Sequence, residues 1–302
     1  MVLSPDEAER TPGFRSQRRD RWRLRHQTLA VGRLPLLMGI LNVTPDSFSD
    51  GGRFFDPQAA IEHGLRLAEE GADLVDVGGE STRPYAPPVD PDEELRRVIP
   101  VVVALVDRSS VPVSIDTSKA IVAREAVAAG AQVINDVTGL RGDPGMLPLA
   151  VESGVGVCVM HMQGTPRTMQ KDPIYDDVVE DVLGYLRQRR DALLAAGIDQ
   201  DRIALDPGIG FGKTPEHNLS LLSNAWRFHE LGCPTLIGHS RKSFIGAVLS
   251  DPQADRTAGT IGVALSLARQ GVQILRVHDV APVRQALLLY DATGGLDEFC
   301  PG

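Results

Sequence analysis

The sequence has few lysines and few cysteines, and it has no long apolar run. Four of its 302 residues are lysine and three are cysteine (Cys158, Cys233 and Cys300), with no Cys-x-x-Cys spacing. An odd set of this kind argues against a disulfide framework or a cysteine metal cluster and is typical of a reducing compartment. No apolar run approaches the roughly 18 residues of a membrane span, and the N-terminus lacks the apolar stretch of a signal peptide. We therefore expect a cytoplasmic protein without a membrane partner.

Positive charge is also scarce. The chain has 31 Lys and Arg against 40 Asp and Glu, a formal net charge of −9. Because proteins that bind polyanions are usually basic, we expect no nucleic-acid partner. The first 27 residues differ, since they hold seven arginines. An anion-binding arm is one interpretation of this run, and a solvated, poorly ordered tail over residues 1–21 is the favoured one.

Eight short runs rich in Val, Ile and Leu recur along the rest of the chain, and helical patterns lie between them. Near-continuous apolar runs are typical of parallel strands that are buried on both faces. Eight alternations of strand and helix predict an α/β protein, a (β/α)8 TIM barrel, as a single domain over residues 22–302. A doubly wound open sheet is the alternative, but no glycine-rich dinucleotide fingerprint follows the first run. The runs are residues 36–42, 73–79, 111–117, 131–137, 154–162, 203–208, 234–240 and 274–279.

Several helices and a hairpin are predicted in more detail. Residues 57–70 follow Asp56 as a cap, have Pro57 at the first helical position and stop at Gly71, as helices prefer. Residues 22–35 predict a short hairpin that plugs the N-terminal end of the barrel. Loops 43–56 and 80–90 are long for a barrel and are candidate lids over a site. Further helices are predicted at 118–129, 174–196, 257–270 and 282–292.

Polar residues stand at the ends of most of the apolar runs. One aspartate at such a place, for example Asp116, has the plain explanation that it caps the next helix. A whole set of polar ends on one rim of a barrel is better explained as an active site. The set consists of Asn42, Asp116, Asn135, Asp136, Asp206, Ser240, Arg241, Lys242, Arg276 and His278.

These residue types indicate two kinds of ligand. Arg276 and His278, with Asn42, suit a phosphate-like anion, and Asn42 with nearby aspartates suits a hard cation such as Mg²⁺. Carboxylate and amide groups and one lysine suit a flat, nitrogen-rich heterocycle, and Phe211 and Met160 offer apolar walls for such a ring. The heterocycle set is Asp116, Asn135, Asp206 and Lys242.

Eight motifs in this order resemble the dihydropteroate synthase family over about residues 36–285. They are MGILNVTPDSFSDGG at 38–52, VDVGGESTRP at 75–84, SIDTSKA at 114–120, INDVTG at 134–139, MHMQGTPRTMQ at 160–170, LDPGIGFGKT at 205–214, SRKSFIG at 240–246 and RVHDV at 276–280. The resemblance implies a transferase of folate biosynthesis that joins 6-hydroxymethyl-7,8-dihydropterin diphosphate to 4-aminobenzoate, with Mg²⁺, and releases pyrophosphate. It also implies a homodimer and a sulfonamide target.

The resemblance assigns roles residue by residue. Asp116, Asn135, Asp206 and Lys242, with Met160 and Phe211, would bind the pterin, and Asn42, Arg276 and His278 the diphosphate, with Asn42 as the Mg²⁺ ligand. Thr82, Arg83, Pro84, Ser240 and Phe48 would bind 4-aminobenzoate, and Asp50, in the first loop, would act in catalysis with Arg276 and His278.

Two rival functions remain at this point. A pterin-binding methyltransferase barrel would share Asp116, Asn135 and Asp206 but would not need the STRP, SRK or RVHD motifs. A catalytically silent paralogue would bind a pterin without turning it over, which the presence of Asn42, Arg276 and His278 disfavours.

Overall fold

The protein is described by a computed structural model over residues 18–44, 56–81, 86–165 and 168–297. Within these ranges a two-stranded antiparallel ribbon precedes an eight-stranded parallel sheet. The ribbon consists of β1 (Arg21–Arg23) and β2 (Thr28–Ala30). The sheet consists of β3 (Leu36–Asn42), β4 (Leu74–Gly78), β5 (Val113–Asp116), β6 (Val133–Asp136), β7 (Gly156–Met160), β8 (Ile203–Asp206), β9 (Leu236–Ile237) and β10 (Ile274–Val277).

The eight parallel strands close into a barrel. Their order is β8-β7-β6-β5-β4-β3-β10-β9, and the two end strands meet at a parallel bridge between Leu205 and Thr235. The Leu205 N–H also donates to the Pro234 carbonyl at 2.9 Å. The predicted TIM barrel is therefore confirmed, and the open doubly wound sheet is wrong.

Helices cover the outside of this barrel in the described part of the chain. They are α1 (Pro57–Glu69), α2 (Pro91–Arg108), α3 (Ala120–Ala128), α4 (Met146–Ser153), α5 (Val178–Ala195), α6 (Pro215–Ser223), α7 (Ser243–Val248), α8 (Thr257–Arg269) and α9 (Val280–Ala292). The start of α1 is as predicted, since the Asp56 side chain accepts from the Gln58 N–H. None of these helices is long and apolar enough to cross a membrane.

Three helix starts differ from the prediction by a few residues, and the helix predicted at 118–129 begins at Ala120. The helix predicted at 174–196 begins at Val178, because the Asp177 side chain accepts from two N–H groups of the first turn and so caps it there. The helix predicted at 282–292 begins at Val280. Pro282 lies in its first turn, where a missing N–H costs little, so the proline does not mark the start.

The β1–β2 hairpin closes the N-terminal end of the barrel. Trp22 is fully buried in a cluster with Leu24, Val31 and residues from the starts of the barrel strands. Its indole N–H donates to the Arg202 carbonyl at 3.0 Å, so the buried ring leaves no unpaired donor. The predicted plug is confirmed, and its first strand begins at Arg21.

Candidate active site

The predicted polar strand ends meet at the carboxyl-terminal end of the barrel. Asn42, Asp116 and Asp206 are the last residues of β3, β5 and β8. The strand register places Asp116 beside Asn135 and Met160 beside Asp206. Parallel strands present their carboxyl ends at one rim, which is where TIM barrels carry their active sites.

A buried ionic network lies under this rim. Arg276 Nε donates to Asp76 Oδ2 at 2.6 Å, and its Nη2 donates to Asp116 Oδ2 at 2.7 Å. Asn135 Nδ2 donates to the same Asp76 oxygen at 2.9 Å. Asp76 therefore orients both Asn135 and Arg276, with the amide nitrogen of Asn135 held towards the carboxylate.

Burial sets the charges of this network. It raises the pKa of Asp116 to about 7, because desolvation outweighs the attraction of Arg276 and is reinforced by Asp76. Burial acts to lower the pKa of Arg276, but Asp76 and Asp116 more than offset it and the pKa is raised. The guanidinium thus stays charged, while the Asp116 carboxyl titrates near neutrality.

A second part of the site surrounds Asp206. The Gly208 N–H donates to Asp206 Oδ1 at 2.7 Å, yet burial raises the pKa of this carboxyl to about 6. Lys242 Nζ lies 4.2 Å from the centroid of the Phe211 ring, a cation–π distance. Burial and the charge of Arg276 lower the pKa of Lys242 to about 8. Phe211 packs in an apolar cluster with Met160 and Met169.

The turn after β9 forms a third part of the candidate active site. The ring Nδ1 of His278 lies 3.0 Å from the Ser240 hydroxyl oxygen, which also accepts from the His278 N–H at 3.2 Å. Arg276 and His278, predicted to act together, therefore have different partners in the structure. Arg276 contacts the carboxylates of β4 and β5, whereas His278 contacts Ser240.

Known proteins are similar to this chain over the part that contains the polar strand ends. Residues 38–278 match the pterin-binding enzyme family. The chain is 48% identical over 260 residues to dihydropteroate synthase of Haemophilus influenzae, covering 86% of this chain and 94% of that protein. The chain belongs to the dihydropteroate synthase family. The family resemblance noted in the motifs is thus confirmed, as is the prediction of an enzyme of the transferase class.

Solved structures of dihydropteroate synthases have the same fold. The Yersinia pestis enzyme, in complex with a sulfonamide drug, superposes with a TM-score of 0.85 at 46% identity and covers 91% of this chain and 99% of its own. The Xanthomonas albilineans enzyme, in complex with 7,8-dihydropteroate, gives a TM-score of 0.81 at 46% identity and covers 90% and 98%.

Some predicted site residues of this synthase-family chain lie outside the described residues. They are Phe48, Asp50, Thr82, Arg83 and Pro84, and their assignments stay predictions. Sequence reasoning missed Asp76, which stands in the middle of β4 and not at its end. Its only signal was a charged residue inside an otherwise apolar run, LVDVG, where every residue is buried.

Proposed function

We propose that the protein condenses 6-hydroxymethyl-7,8-dihydropterin diphosphate with 4-aminobenzoate, forming 7,8-dihydropteroate and pyrophosphate. The observation that carries this proposal is the convergence of Asp116, Asn135, Asp206 and Lys242 at one buried rim. Such a set offers acceptors for the N–H edge of a pterin and one donor for its carbonyl oxygen. Phe211 and Met160 supply an apolar surface for the flat ring.

The pterin would supply hydrogen-bond donors to the buried carboxyl groups of Asp116 and Asp206. Asp116 and Asp206 resist ionisation in the ligand-free protein because they are desolvated. N–H donors of the ring would form charge-assisted hydrogen bonds with the ionised carboxylates, which are the stronger kind. The same carboxylates would stabilise positive charge on the pterin methylene as the carbon–oxygen bond breaks.

The diphosphate is assigned to Asn42, His278 and Arg276. Arg276 retains guanidinium donors beyond the two that bind Asp76 and Asp116. The imidazole of His278, held against Ser240, would donate to the leaving oxygens. Stabilisation of the departing pyrophosphate and correct placement of the weakly basic aromatic amine would account for most of the rate, with no covalent enzyme intermediate.

Mg²⁺ is part of the proposal, with Asn42 as its protein ligand. Among the described residues no group of three or more His, Cys, Asp or Glu side chains is placed to hold a metal ion. An amide oxygen at the end of β3 nevertheless fits the usual Mg²⁺ mode, in which most ligands are substrate phosphates and water. When bound, the ion would neutralise charge on the diphosphate.

The second substrate is assigned to the remaining predicted residues. Ser240, at the turn after β9, and Thr82, Arg83, Pro84 and Phe48 would bind 4-aminobenzoate, and Asp50 would assist at the diphosphate. Since the Yersinia pestis relative is described with a sulfonamide drug, we also propose that sulfonamides bind at this place. The proposal further includes a cytoplasmic homodimer.

The test of this function is pyrophosphate release in the presence of each substrate alone and of both. Release that requires both substrates supports condensation. Pterin binding without release would favour the silent paralogue, and methyl transfer from a reduced folate would favour the methyltransferase. The presence of the SRK and RVHD motifs, which include Arg276 and His278, favours the condensing enzyme over both rivals.

A further inference from the structure

A second buried lysine lies beside the residues assigned to the pterin. Lys213 is only 3% exposed. Its Nζ donates to the Phe211 carbonyl at 2.9 Å and lies 3.0 Å from Nδ1 of His161. Both partners are uncharged groups, so the ammonium is buried without an ion pair among the described residues. Because burial of a charge is costly, the presence of a cation here calls for an explanation beyond packing.

His161 is neutral and accepts the hydrogen bond. Burial, together with the nearby charges of Lys213 and Arg141, lowers the pKa of His161 to about 3. The ring is fixed by edge-on packing against Tyr185, with centroids 4.8 Å apart. In the contact between Lys213 Nζ and His161 Nδ1, the proton therefore resides on Lys213. Lys213 and His161 together carry at most one positive charge.

Lys213 joins two segments that meet at the rim. Phe211 belongs to the loop of residues 207–212 after β8, and His161 directly follows β7. The two segments are in close contact, since a Cβ on Gly208, whose φ is +71°, would come within 1.9 Å of the His161 carbonyl oxygen. The ammonium of Lys213 thus connects the 207–212 loop, through the Phe211 carbonyl, to His161 at the end of β7.

The charge of Lys213 also acts on Asp206. Burial raises the pKa of Asp206, and Lys242, Lys213 and Arg276 are the cations that oppose this effect. Burial likewise lowers the pKa of Lys213 to about 7, with Asp206 raising it and Lys242 lowering it. At the mildly acidic pH at which Asp206 takes up a proton, Lys213 is therefore charged and favours the carboxylate.

We propose that Lys213 is a positioning residue for the pterin, which holds the 207–212 loop, and with it the Phe211 ring, against His161. The inference rests on the proposed function, because the ligand whose affinity it supports is the pterin. Within the described part of the chain, the hydrogen bonds of Lys213 do not reach the residues assigned to the diphosphate or to 4-aminobenzoate. Its removal should raise the KM for the pterin substrate and leave the KM for 4-aminobenzoate unchanged.

The experiment compares the wild-type chain with Lys213→Met and Lys213→Gln. Lys213→Met removes the charge and both hydrogen bonds, and Lys213→Gln retains an N–H donor without charge. We expect both variants to bind a pterin lacking diphosphate about tenfold more weakly at pH 6, with the acidic limb of the affinity profile moved up by about one pH unit. The thermal midpoint of Lys213→Met should change little, because removal of a buried charge offsets the loss of the donor to the Phe211 carbonyl and to His161.

Lys171→Met is the matched control, because Lys171 is an exposed lysine and its replacement should leave the affinity profile unchanged. An unshifted profile in Lys213→Met and Lys213→Gln would overturn the proposal. A fall in thermal midpoint that parallels the loss of affinity would also overturn it, since that is the result of a purely structural role. Absence of condensation in the wild-type chain would instead count against the proposed function.

Discussion

Asp206 illustrates the cost of an ionisable group at the buried rim. Its pKa is raised to about 6 by burial, so the ligand-free folded chain holds this proton more tightly than the unfolded chain does. The carboxyl therefore reduces stability as the pH rises from about 4 through 6. The proposed pterin binding should have the opposite pH dependence, because the N–H groups of the ring would pair with the ionised carboxylate.

We predict that Asp206→Asn weakens pterin binding by about 1.5–3 kcal/mol at pH 8, because a charged acceptor is lost. That is roughly a tenfold to 150-fold higher Kd. The wild-type affinity should decline as the pH falls through about 7 and 6, where Asp116 and Asp206 are protonated, and the variant should decline less. Calorimetric titration with a pterin from pH 5 to 8 measures both effects, and near-normal affinity in the variant would refute the assignment.

His278 tests the separation of diphosphate from ring recognition. His278→Ala should reduce kcat/KM for the pterin diphosphate by about 100-fold, as removal of one donor to developing charge typically does. The Kd of a pterin that lacks the diphosphate should change little. Equal losses for the two ligands would contradict the role given to His278.

At the scale of elements, the turn of residues 240–242 is held in a strained form. Arg241 has a φ of +57°, a conformation rare for residues other than glycine. Its N–H donates to the Thr260 hydroxyl at 3.1 Å, and its carbonyl accepts from Arg256 Nη1 at 2.9 Å. Helix α8 therefore fixes the turn that presents Ser240 and Lys242.

We predict that Thr260→Val raises the KM for 4-aminobenzoate and costs about 1–3 kcal/mol of stability, because the Arg241 N–H loses its partner. Thr260→Ser keeps the hydroxyl and is the control, with kinetics close to those of the wild-type chain. Steady-state kinetics and thermal unfolding of the two variants measure the difference. Identical KM values and thermal midpoints for Thr260→Val and Thr260→Ser would show that the hydroxyl does not hold the turn.

Elements and strand ends were predictable from the sequence, whereas side-chain partners were not. Asp116 and Asp206 are identified by where their apolar runs stop, which is local information. Asp76 and Arg276 are 200 positions apart, and their contact depends on the closure of the barrel. Lys213 stands in a motif that the sequence does highlight, but only the packing of its loop on His161 shows that it is buried.

In the whole molecule, the hairpin plug and the proposed active site lie at opposite ends of the barrel. Trp22 closes the N-terminal end, and the residues proposed to bind the substrates lie at the carboxyl-terminal end. Trp22→Ala should lower the free energy of unfolding by about 3–5 kcal/mol. The kcat/KM of the folded fraction should be unchanged. The stability of Trp22→Phe should lie between that of the wild-type chain and that of Trp22→Ala. A loss of kcat/KM at a temperature where the variant is fully folded would show that the plug influences the site.

We propose that a single buried rim of the barrel joins a pterin to an aromatic amine with loss of pyrophosphate. The most direct measurement incubates the purified chain with Mg²⁺, the pterin diphosphate and 4-aminobenzoate, and then quantifies both products by mass spectrometry and a pyrophosphate assay. We predict 7,8-dihydropteroate and pyrophosphate in equal amounts, and neither product when either substrate is omitted. Pyrophosphate release without the amine, or pterin binding with no dihydropteroate, would contradict the account.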